Sequence, residues 1–460
     1  MNRKFSLIGL MVAVAMLFGM AGGVAAQPSG AYVNTFDLQI PTTEGEYAGV
    51  DPSGVTITWW HNHTGRREEA VNAAVAQFSE GNPWGITVEA ISKGSYDDIF
   101  SAITAGIQTG ELPNITVAYG NQAALYQDDN ALVDLNVFVN DPVLGIGEDF
   151  TTDMFTGFFD SDLSVDHDMA RLGFSVYRSM EVLYYNVDAL AALGVEPPQT
   201  WEQFRDITCR WVAEDPENRD GYQVRTDASF IAAAAFAAGV DVYDAENDVF
   251  TYDLPEVAVM PAIMQQMVAE GCARLQSERR GDQNAFTAGR AIFYTGSSSG
   301  IPFVADGIRN NPNPFIFDVA PIPGWTDQPT QNIYGASNSV VGLGKSPEEI
   351  LASWLFLRWY TETEQQVFWA AQSNYFPVRR SAASGLADVF AAELTGRPYE
   401  SAFNLLGNVK AEPSVPVYQT VRSEASNAFN NILDGAPVVE TLAELNDLSN
   451  RLLEEARAAR

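Results

Sequence analysis

One stretch near the middle of the chain, Arg171–Asn186, constrains the fold more than any other. It reads RLGFSVYRSMEVLYYN, and its second half, Val182–Tyr185, has the β-branched and aromatic content typical of a strand. Its middle, Tyr177–Glu181, is too polar for a buried central strand. We therefore predict that the stretch leaves one packed lobe, crosses an exposed gap and enters a second lobe. The polar residues Arg178 and Ser179 then face the cleft between the lobes.

The length and charge of the chain restrict its class. At 460 residues it exceeds one ordinary hydrophobic core, so two domains are expected. The 59 acidic residues against 26 basic ones give a formal net charge of −33. Because such a surface repels phosphate backbones and anionic lipids, we expect a protein that binds neither nucleic acid nor membrane surfaces.

The N-terminus has the features of a cleavable signal peptide, residues 1–26. Two basic residues precede the short apolar run Leu7–Met20, and Val24–Ala26 offers small residues for cleavage. No cysteine near this point would carry a lipid, so we predict an exported protein, periplasmic or extracellular, without a membrane anchor. Residues 27–53 are predicted to form an extended tail that lies over the surface or stays mobile.

The sequence contains two cysteines, Cys209 and Cys272. In an oxidising compartment such a pair predicts a disulfide, and the alternative is two buried free thiols on neighbouring helices. We favour the disulfide.

The first part of the chain follows a strand–helix–strand–helix–strand pattern. Strand-like segments start at Val55, Ile86 and Ile115, and segments of helical periodicity lie between them. This order is typical of a parallel sheet with right-handed crossovers, and ligands bind at the carboxyl ends of the strands in such sheets. We therefore predict that one rim of the cleft carries these residues: His61, Asn62, Thr64, Tyr96, Tyr119, Gly120 and Asn121.

A serine-rich segment, Gly296–Gly300, fits the G-x-S-x-G pattern of a hydrolase nucleophile elbow. An α/β-hydrolase needs its histidine after the serine, whereas all three histidines of this chain precede it. We therefore interpret Ser298, Ser299 and Gly300 as parts of a flexible, hydroxyl-lined ligand loop.

His61 and His63, one residue apart, have the spacing of a pair of metal ligands on one face of a strand. A metal site needs at least two further ligands, and nothing in the sequence places them nearby, so we predict neither a metal nor a cofactor. Trp325 and Tyr375 lie in loops or extended segments, where an aromatic ring either stacks on a sugar or packs half-buried.

Short motifs along the chain resemble those of one family. In order, they are ThrTrpTrpHis at 58–61, GlySerTyrAspAsp at 94–98, GlyGluLeuProAsn at 110–114, ValLeuTyrTyrAsn at 182–186, ProProGlnThrTrp at 197–201, SerSerGly at 298–300, GlyAlaSer at 335–337 and TyrPheProVal at 375–378. Their order and spacing are similar to those of family 1 of the extracellular solute-binding proteins of ABC transporters. That family includes maltose-, multiple-sugar- and glycerol-3-phosphate-binding proteins.

The chain resembles the glycerol-3-phosphate-binding branch in particular, which implies a set of ligand contacts. In this chain's numbering, the set comprises Tyr96, Arg178 or Ser179, Ser298 or Ser299, Gly335 with the nearby Ser337, and Tyr375. Two positions differ, because Gly120 replaces a glutamate and Leu405 replaces an arginine. Loss of that arginine weakens the case for a phosphate ligand, for which Arg178 or Arg379 would have to substitute.

The resemblance implies an α/β protein with the two-lobed periplasmic-binding-protein fold of type II. The expected lobe 1 spans residues 54–172 and 316–372, the expected lobe 2 spans 173–315 and 373–460, and the crossings lie near Gly173–Val176, Phe315–Val319 and Ser373–Phe376. It further implies a monomeric solute-binding component of an ABC importer, without enzymatic activity. Such a component binds a sugar, a glycerol-type polyol or a glycerophospho solute and delivers it to the permease. An exported hydrolase acting on polysaccharide is the alternative.

Overall fold

The structure is a computed structural model that describes residues 32–324 and 329–459, so the predicted signal peptide and Trp325 lie outside the described residues. The strands are β1 (Thr56–His61), β2 (Thr87–Ser92), β3 (Ile115–Ala118), β4 (Leu163–Ser164), β5 (Ala170–Arg171), β6 (Ser179–Asn186), β7 (Tyr222–Val224), β8 (Tyr243–Asp244), β9 (Val249–Phe250), β10 (Ala273–Leu275), β11 (Phe293–Ser297), β12 (Phe317–Ala320), β13 (Gln331–Tyr334), β14 (Ser337–Val340) and β15 (Val409–Lys410). The helices are α1 (Arg66–Gly81), α2 (Tyr96–Thr109), α3 (Gly120–Asp128), α4 (Asn136–Val139), α5 (Gly147–Asp153), α6 (Thr156–Asp160), α7 (Val187–Leu193), α8 (Trp201–Glu214), α9 (Ala228–Ala237), α10 (Pro255–Ala269), α11 (Gly281–Thr287), α12 (Ile301–Arg309), α13 (Pro347–Tyr360), α14 (Thr363–Ser373), α15 (Ala387–Phe390), α16 (Gly396–Phe403), α17 (Tyr418–Leu433) and α18 (Val438–Ala458). Among the described helices, none is both long and apolar enough to cross a membrane.

The first lobe is built on a four-stranded sheet in the order β14-β3-β1-β2. β1 is parallel to both β2 and β3, which confirms the predicted strand–helix order, and β14 returns antiparallel to β3. α2 begins with a capping box, in which the Ser95 hydroxyl accepts from the Asp98 amide and the Asp98 carboxylate accepts from the Ser95 amide. This box fixes the point where Tyr96 enters the helix at the carboxyl end of the sheet.

Residues 32–53 lie over the first lobe. Thr35 is fully buried, and the Phe36 ring stacks on Trp359 with the centroids 6.0 Å apart. Arg358 on α13 donates to the carbonyl oxygen of Val33 and to the Thr35 hydroxyl. The described part of the predicted tail therefore contributes side chains to the core of the first lobe.

The second lobe is built around β6. β11 pairs antiparallel with one edge of β6, while β12 and β13 pair antiparallel with successive parts of its other edge, and β15 extends the sheet beside β13. Helices α8, α9, α10, α17 and α18 enclose the hydrophobic core of this lobe. Cys209 on α8 and Cys272, just after α10, form a disulfide within it.

The prediction that residues Tyr177–Glu181 cross an exposed gap is wrong. Ser179, Met180 and Glu181 belong to the central strand β6 and are fully buried or nearly so, and Arg178 is only 4% exposed. The polarity of this segment is tolerated because each charged group has an oppositely charged partner: Arg178 pairs with Asp162, and Glu181 pairs with Arg225.

The strand pairing puts the return crossing later in the chain than the predicted position, Phe315–Val319. Residues 317–320 and 331–334 pair with β6 and so lie on the second lobe, although residues from 316 onward were assigned to the first lobe. The chain returns at Gly335, between β13 and β14. Near the other predicted crossings, Phe174 bridges to Asn338 of the first sheet, and Phe376 pairs with Arg178.

Candidate functional site

Four residues predicted for the ligand site meet at Gly335. Gly335 has a φ of +105°, a conformation that strains any residue with a side chain. An ideal Cβ atom there would lie 3.8 Å from Ser179 Oγ, 3.8 Å from Tyr375 Cε1 and 4.0 Å from the Tyr96 hydroxyl oxygen. Tyr96 belongs to the first lobe and Ser179 to the second, so this cluster lies between the lobes.

Aromatic rings surround the cluster. The Tyr96 ring lies 5.0 Å from that of Tyr119, and the Tyr375 ring lies 4.8 Å from that of Tyr177. The Tyr96 hydroxyl is buried and makes no hydrogen bond of good geometry, although the Ala336 backbone and the side chains of Asn62 and Tyr375 lie within reach of it. Burial raises the pKa of Tyr96 above its usual range, so the phenol keeps its proton and is available as a donor.

The serine segment forms a chain of hydroxyl groups that ends at Ser179. Ser297 Oγ donates to Ser179 Oγ at 2.9 Å and lies 2.9 Å from Ser299 Oγ. Ser298 Oγ accepts from the backbone amide of Met180 at 3.1 Å. Residues 298–300 form a 3-10 turn ahead of α12 rather than the flexible loop predicted. The contact of Ser298 is therefore a backbone amide, which is not a general base.

Arg178 holds the crossing in place through its hydrogen bonds. Its guanidinium donates to the carbonyl oxygen of Gly335 at 2.6 Å, to Asp162 Oδ1 at 2.7 Å and to Ser161 Oγ at 2.9 Å. It also donates to Ser337 Oγ, which in turn donates to Asp162. The predicted residues Arg178 and Ser337 are thus part of one buried network beneath Gly335.

Arg379 lies outside the cluster. Its Nε donates to Asp153 Oδ2 at 2.7 Å, and its guanidinium carbon lies 4.3 Å from the ring centroid of Phe150 and 5.3 Å from that of Tyr32. Both arginines considered as replacements for the missing phosphate-binding residue are therefore paired with carboxylates.

A charged cluster in the second lobe was missed by the sequence analysis. Arg225, which follows β7, pairs with Glu181, lies 3.4 Å from Asp227 Oδ2 and lies 3.7 Å from Asp282 Oδ2. Glu181 is fully buried, and desolvation raises the pKa of its carboxyl to about 7, against the opposing effect of Arg225. Its Oε2 atom has no hydrogen-bond partner.

A second missed ion pair reaches the first lobe. Arg422 on α17 pairs with Glu412, and its guanidinium carbon lies 5.8 Å from the ring centroid of Tyr119. Glu412 also accepts from the hydroxyls of Ser229 and Tyr418. Tyr119, Glu412 and Arg422 line a cavity of about 30 Å³, which has room for a water molecule.

Three further residues predicted for the site, Gly120, Asn121 and Gly300, lie close to residues of other elements. At Gly120 an ideal Cβ atom would lie 3.2 Å from Ser414 Cβ of the second lobe, and Asn121 donates to Gln419 Oε1 across the cleft at 2.7 Å. At Gly300 an ideal Cβ atom would lie 3.2 Å from the Tyr184 hydroxyl oxygen. The glycine at position 120 therefore permits a close approach between the lobes.

The histidine segment divides between core and surface. His61 packs against Trp59, and burial lowers the pKa of His61 to about 4, while His63 lies 2.7 Å from the Tyr177 hydroxyl oxygen. Thr64 is exposed. Within residues 32–324 and 329–459, no group of three potential metal ligands includes His61 or His63.

The missed residues have weak signals in the sequence. Arg225 and Asp227 directly follow a strand and precede an apolar helix. Two charged residues at the end of a strand could have indicated a polar site there. Glu412 and Arg422 lie ten residues apart on different elements, and their pairing is set by the tertiary structure alone.

An ion pair outside the cluster also joins the lobes. Asp166, between β4 and β5, accepts from Arg457 on α18 through two bonds of 2.6 and 2.8 Å. Arg457 also donates to Asp248 of its own lobe. This bidentate contact stabilises the arrangement in which the lobes are together.

Replacing Arg457 by glutamine is expected to favour separated lobes. A partly exposed pair contributes about 1 kcal/mol, roughly a fivefold change in the ratio of closed to open molecules. Small-angle X-ray scattering at low salt will then give a larger radius of gyration for the variant than for the wild type. At about 1 M salt, which screens charges beyond about 3 Å, the difference will shrink. Arg309→Gln, which breaks a pair within α12, is the control; an equal radius for Arg457→Gln and wild type at low salt would contradict the expectation.

Two α/β lobes that are joined by crossing segments and enclose unsatisfied polar groups define the class of two-lobed binding proteins. The sequence profile of the bacterial extracellular solute-binding proteins matches residues 73–394, well over half of the chain. The chain belongs to this family, whose members are the solute-binding components of ABC importers.

Individual relatives agree with this assignment. The sn-glycerol-3-phosphate-binding periplasmic protein UgpB of Salmonella typhimurium is 23% identical over 338 residues, which cover 71% of this chain and 75% of the relative. The cyclic α-maltosyl-1,6-maltose binding protein of Arthrobacter globiformis superposes with a TM-score of 0.73 at 21% identity, over 88% of this chain and 100% of that one. UgpB of Mycobacterium tuberculosis in complex with glycerophosphocholine gives 0.73 at 18% identity, over 87% and 99%. These structures confirm the predicted two-lobed fold.

Proposed function

We propose that this protein binds a sugar or a glycerol-type polyol between its lobes and delivers it to the permease of an ABC importer. We further propose that it is exported, acts as a monomer and catalyses no reaction. The observation that carries the proposal is the meeting of Tyr96, Ser179, Gly335 and Tyr375 from both lobes around a buried hydroxyl that makes no hydrogen bond of good geometry.

The chemistry of the cluster suits a hydroxylated solute. Aromatic rings pack against the apolar faces of a sugar ring, and serine hydroxyls exchange hydrogen bonds with its oxygens. A solute oxygen would give the buried Tyr96 hydroxyl a hydrogen bond of better geometry than its present neighbours do. Closing the lobes about Gly335 would then enclose the solute.

The alternative of an exported hydrolase has less support. Ser298, the serine in the nucleophile position, contacts a backbone amide, and His63, just after β1, contacts the Tyr177 hydroxyl. If the protein only binds a solute, neither the wild type nor Ser298→Ala will hydrolyse a glycan. If it is a hydrolase, the wild type will hydrolyse the glycan and Ser298→Ala will not.

A thermal-shift screen of the mature protein tests the proposed function. A sugar or polyol present at 100 times its dissociation constant is expected to raise the free energy of unfolding by about 2.7 kcal/mol. Tyr96→Phe should weaken binding of the solute identified by up to about tenfold, since one hydrogen bond is lost. The matched control is Tyr126→Phe, which removes another buried hydroxyl without a partner from the first-lobe core. Cleavage of a glycan without stabilisation by any solute would refute the proposal.

A further inference from the structure

We propose that the second-lobe wall of the cleft selects a solute that donates hydroxyl hydrogen bonds and carries no phosphate, with Glu181 as the residue that determines this specificity. The inference rests on the proposed function and deepens it. It follows from three features of the wall: an acceptor atom without a partner, the position of that acceptor, and the local balance of charge.

The acceptor is one oxygen of the Glu181 carboxylate. Glu181 is fully buried; its Oε1 accepts from Arg225, while its Oε2 has no hydrogen-bond partner. A buried carboxylate oxygen that lacks a partner is costly, and a hydroxyl group of a bound solute would satisfy it. Burial also raises the pKa of this carboxyl to about 7, which is consistent with incomplete compensation by Arg225.

The strand geometry places Glu181 next to the cluster at Gly335. Residues two apart on a strand project from the same face, so Glu181 lies on the side of β6 that carries Ser179. Ser179 Oγ is within 3.8 Å of the position that a Gly335 Cβ would occupy, and it donates to the carbonyl oxygen of Tyr334. A solute in contact with Ser179 is thus two residues along the strand from Glu181, on the same face.

The charge around Glu181 disfavours an anion. Arg225 faces the three carboxylates of Glu181, Asp227 and Asp282. The second guanidinium of the wall, Arg422, is matched by Glu412, so four carboxylates face two guanidiniums. A phosphate site needs a cation that is not already neutralised, and both guanidiniums of this wall are already paired with carboxyl groups.

Two other arginines lie near the cluster, outside the second-lobe wall. Arg178 is paired with Asp162. Arg67 donates to the carbonyl oxygens of Ser373 and Ser299, and its guanidinium carbon lies 4.8 Å from the ring centroid of Tyr375. Two N–H groups of Arg67 therefore hold the backbone segments at Ser373 and Ser299.

The first arm of the test uses the wild-type protein and isothermal titration calorimetry. The probes are maltose, maltotriose, glycerol and glycerol 3-phosphate. We expect an uncharged probe to bind at least tenfold more tightly than glycerol 3-phosphate. Tighter binding of glycerol 3-phosphate would overturn the inference but leave the solute-binding function intact, and loss of the phosphate affinity in Arg67→Gln would identify its source. If none of these probes binds and no solute stabilises the protein in the thermal-shift screen, the proposed function itself fails.

The second arm tests Glu181 directly. Glu181→Gln should weaken binding of the uncharged probe about 10- to 100-fold, as expected for the loss of a buried hydrogen bond to a charged group. The control is Asp318→Asn, which alters a buried carboxylate of the same sheet that is paired with the exposed Arg397; its affinity should equal that of the wild type. Wild-type affinity in Glu181→Gln would overturn the assignment. If circular dichroism shows that this variant does not fold, the wild-type arm still decides between an uncharged and a phosphorylated solute.

Discussion

Replacing Cys209 and Cys272 by serine will lower the free energy of unfolding by about 4 kcal/mol. The disulfide closes a loop with a sequence separation of 63 residues, which restricts the unfolded chain, and the chain-entropy model gives this magnitude for such a loop. The bond also links α8 to the end of α10, two helices that pack in the core of the second lobe. Guanidinium denaturation of the oxidised wild type and of the double variant measures the difference.

A reducing agent provides the matched control for this prediction. Dithiothreitol should shift the wild-type transition to that of the double variant and leave the double variant unchanged. Cys272 is buried and Cys209 only partly so, and serine at both positions retains most of the volume. A difference below 1 kcal/mol would show that the unfolded chain gains little freedom when the bond is absent.

Local sequence signals predicted the first lobe because its elements are defined by neighbouring residues. The apolar spacing of Val71, Val75 and Phe78 gives α1 its buried face. The Ser346–Glu349 capping box starts α13 where the sequence predicts a helix. The parallel order of β1, β2 and β3 then follows from the alternation of strands and helices.

The second lobe was harder to predict because its strands are joined by distant pairing. β12 was expected to lie in the first lobe, and only its pairing with β6, more than 130 residues earlier in the chain, assigns it to the second. The polar centre of Arg171–Asn186 was interpreted as exposed for the same reason. Its partners Asp162 and Arg225 lie outside the stretch, and no local pattern connects them to it.

The candidate site shows the same division. Tyr96, Ser179, Gly335 and Tyr375 followed from short motifs, and the structure brings them together. The wall formed by Arg225 and Arg422 with their carboxylates has no motif, since each pair forms between separate elements. Arg379 illustrates the converse: it was considered as a substitute for the missing phosphate-binding arginine, whereas its pairing with Asp153 commits it to the fold.

Replacing Arg178 by methionine is expected to cost about 3–5 kcal/mol of the free energy of unfolding. Methionine keeps much of the volume but leaves Asp162 without its cationic partner, and removing one member of a buried pair has this effect. Both side chains are at most 5% exposed, so solvent cannot replace the lost contact. Asp162 still accepts from the amide and hydroxyl of Ser175, which places the expected loss toward 3 kcal/mol.

The pair can be separated from the rest of the network by a double-mutant cycle. Asp162→Asn retains the side-chain volume, and the double variant Arg178→Met/Asp162→Asn should lose less than the sum of the two single variants because no uncompensated charge remains. Arg309→Gln, which breaks an exposed pair within α12, should change the free energy of unfolding by at most about 1 kcal/mol. If Arg178→Met also costs less than 1 kcal/mol, the crossing is held by the backbone pairing of Arg178 with Phe376, and the guanidinium is dispensable for the fold.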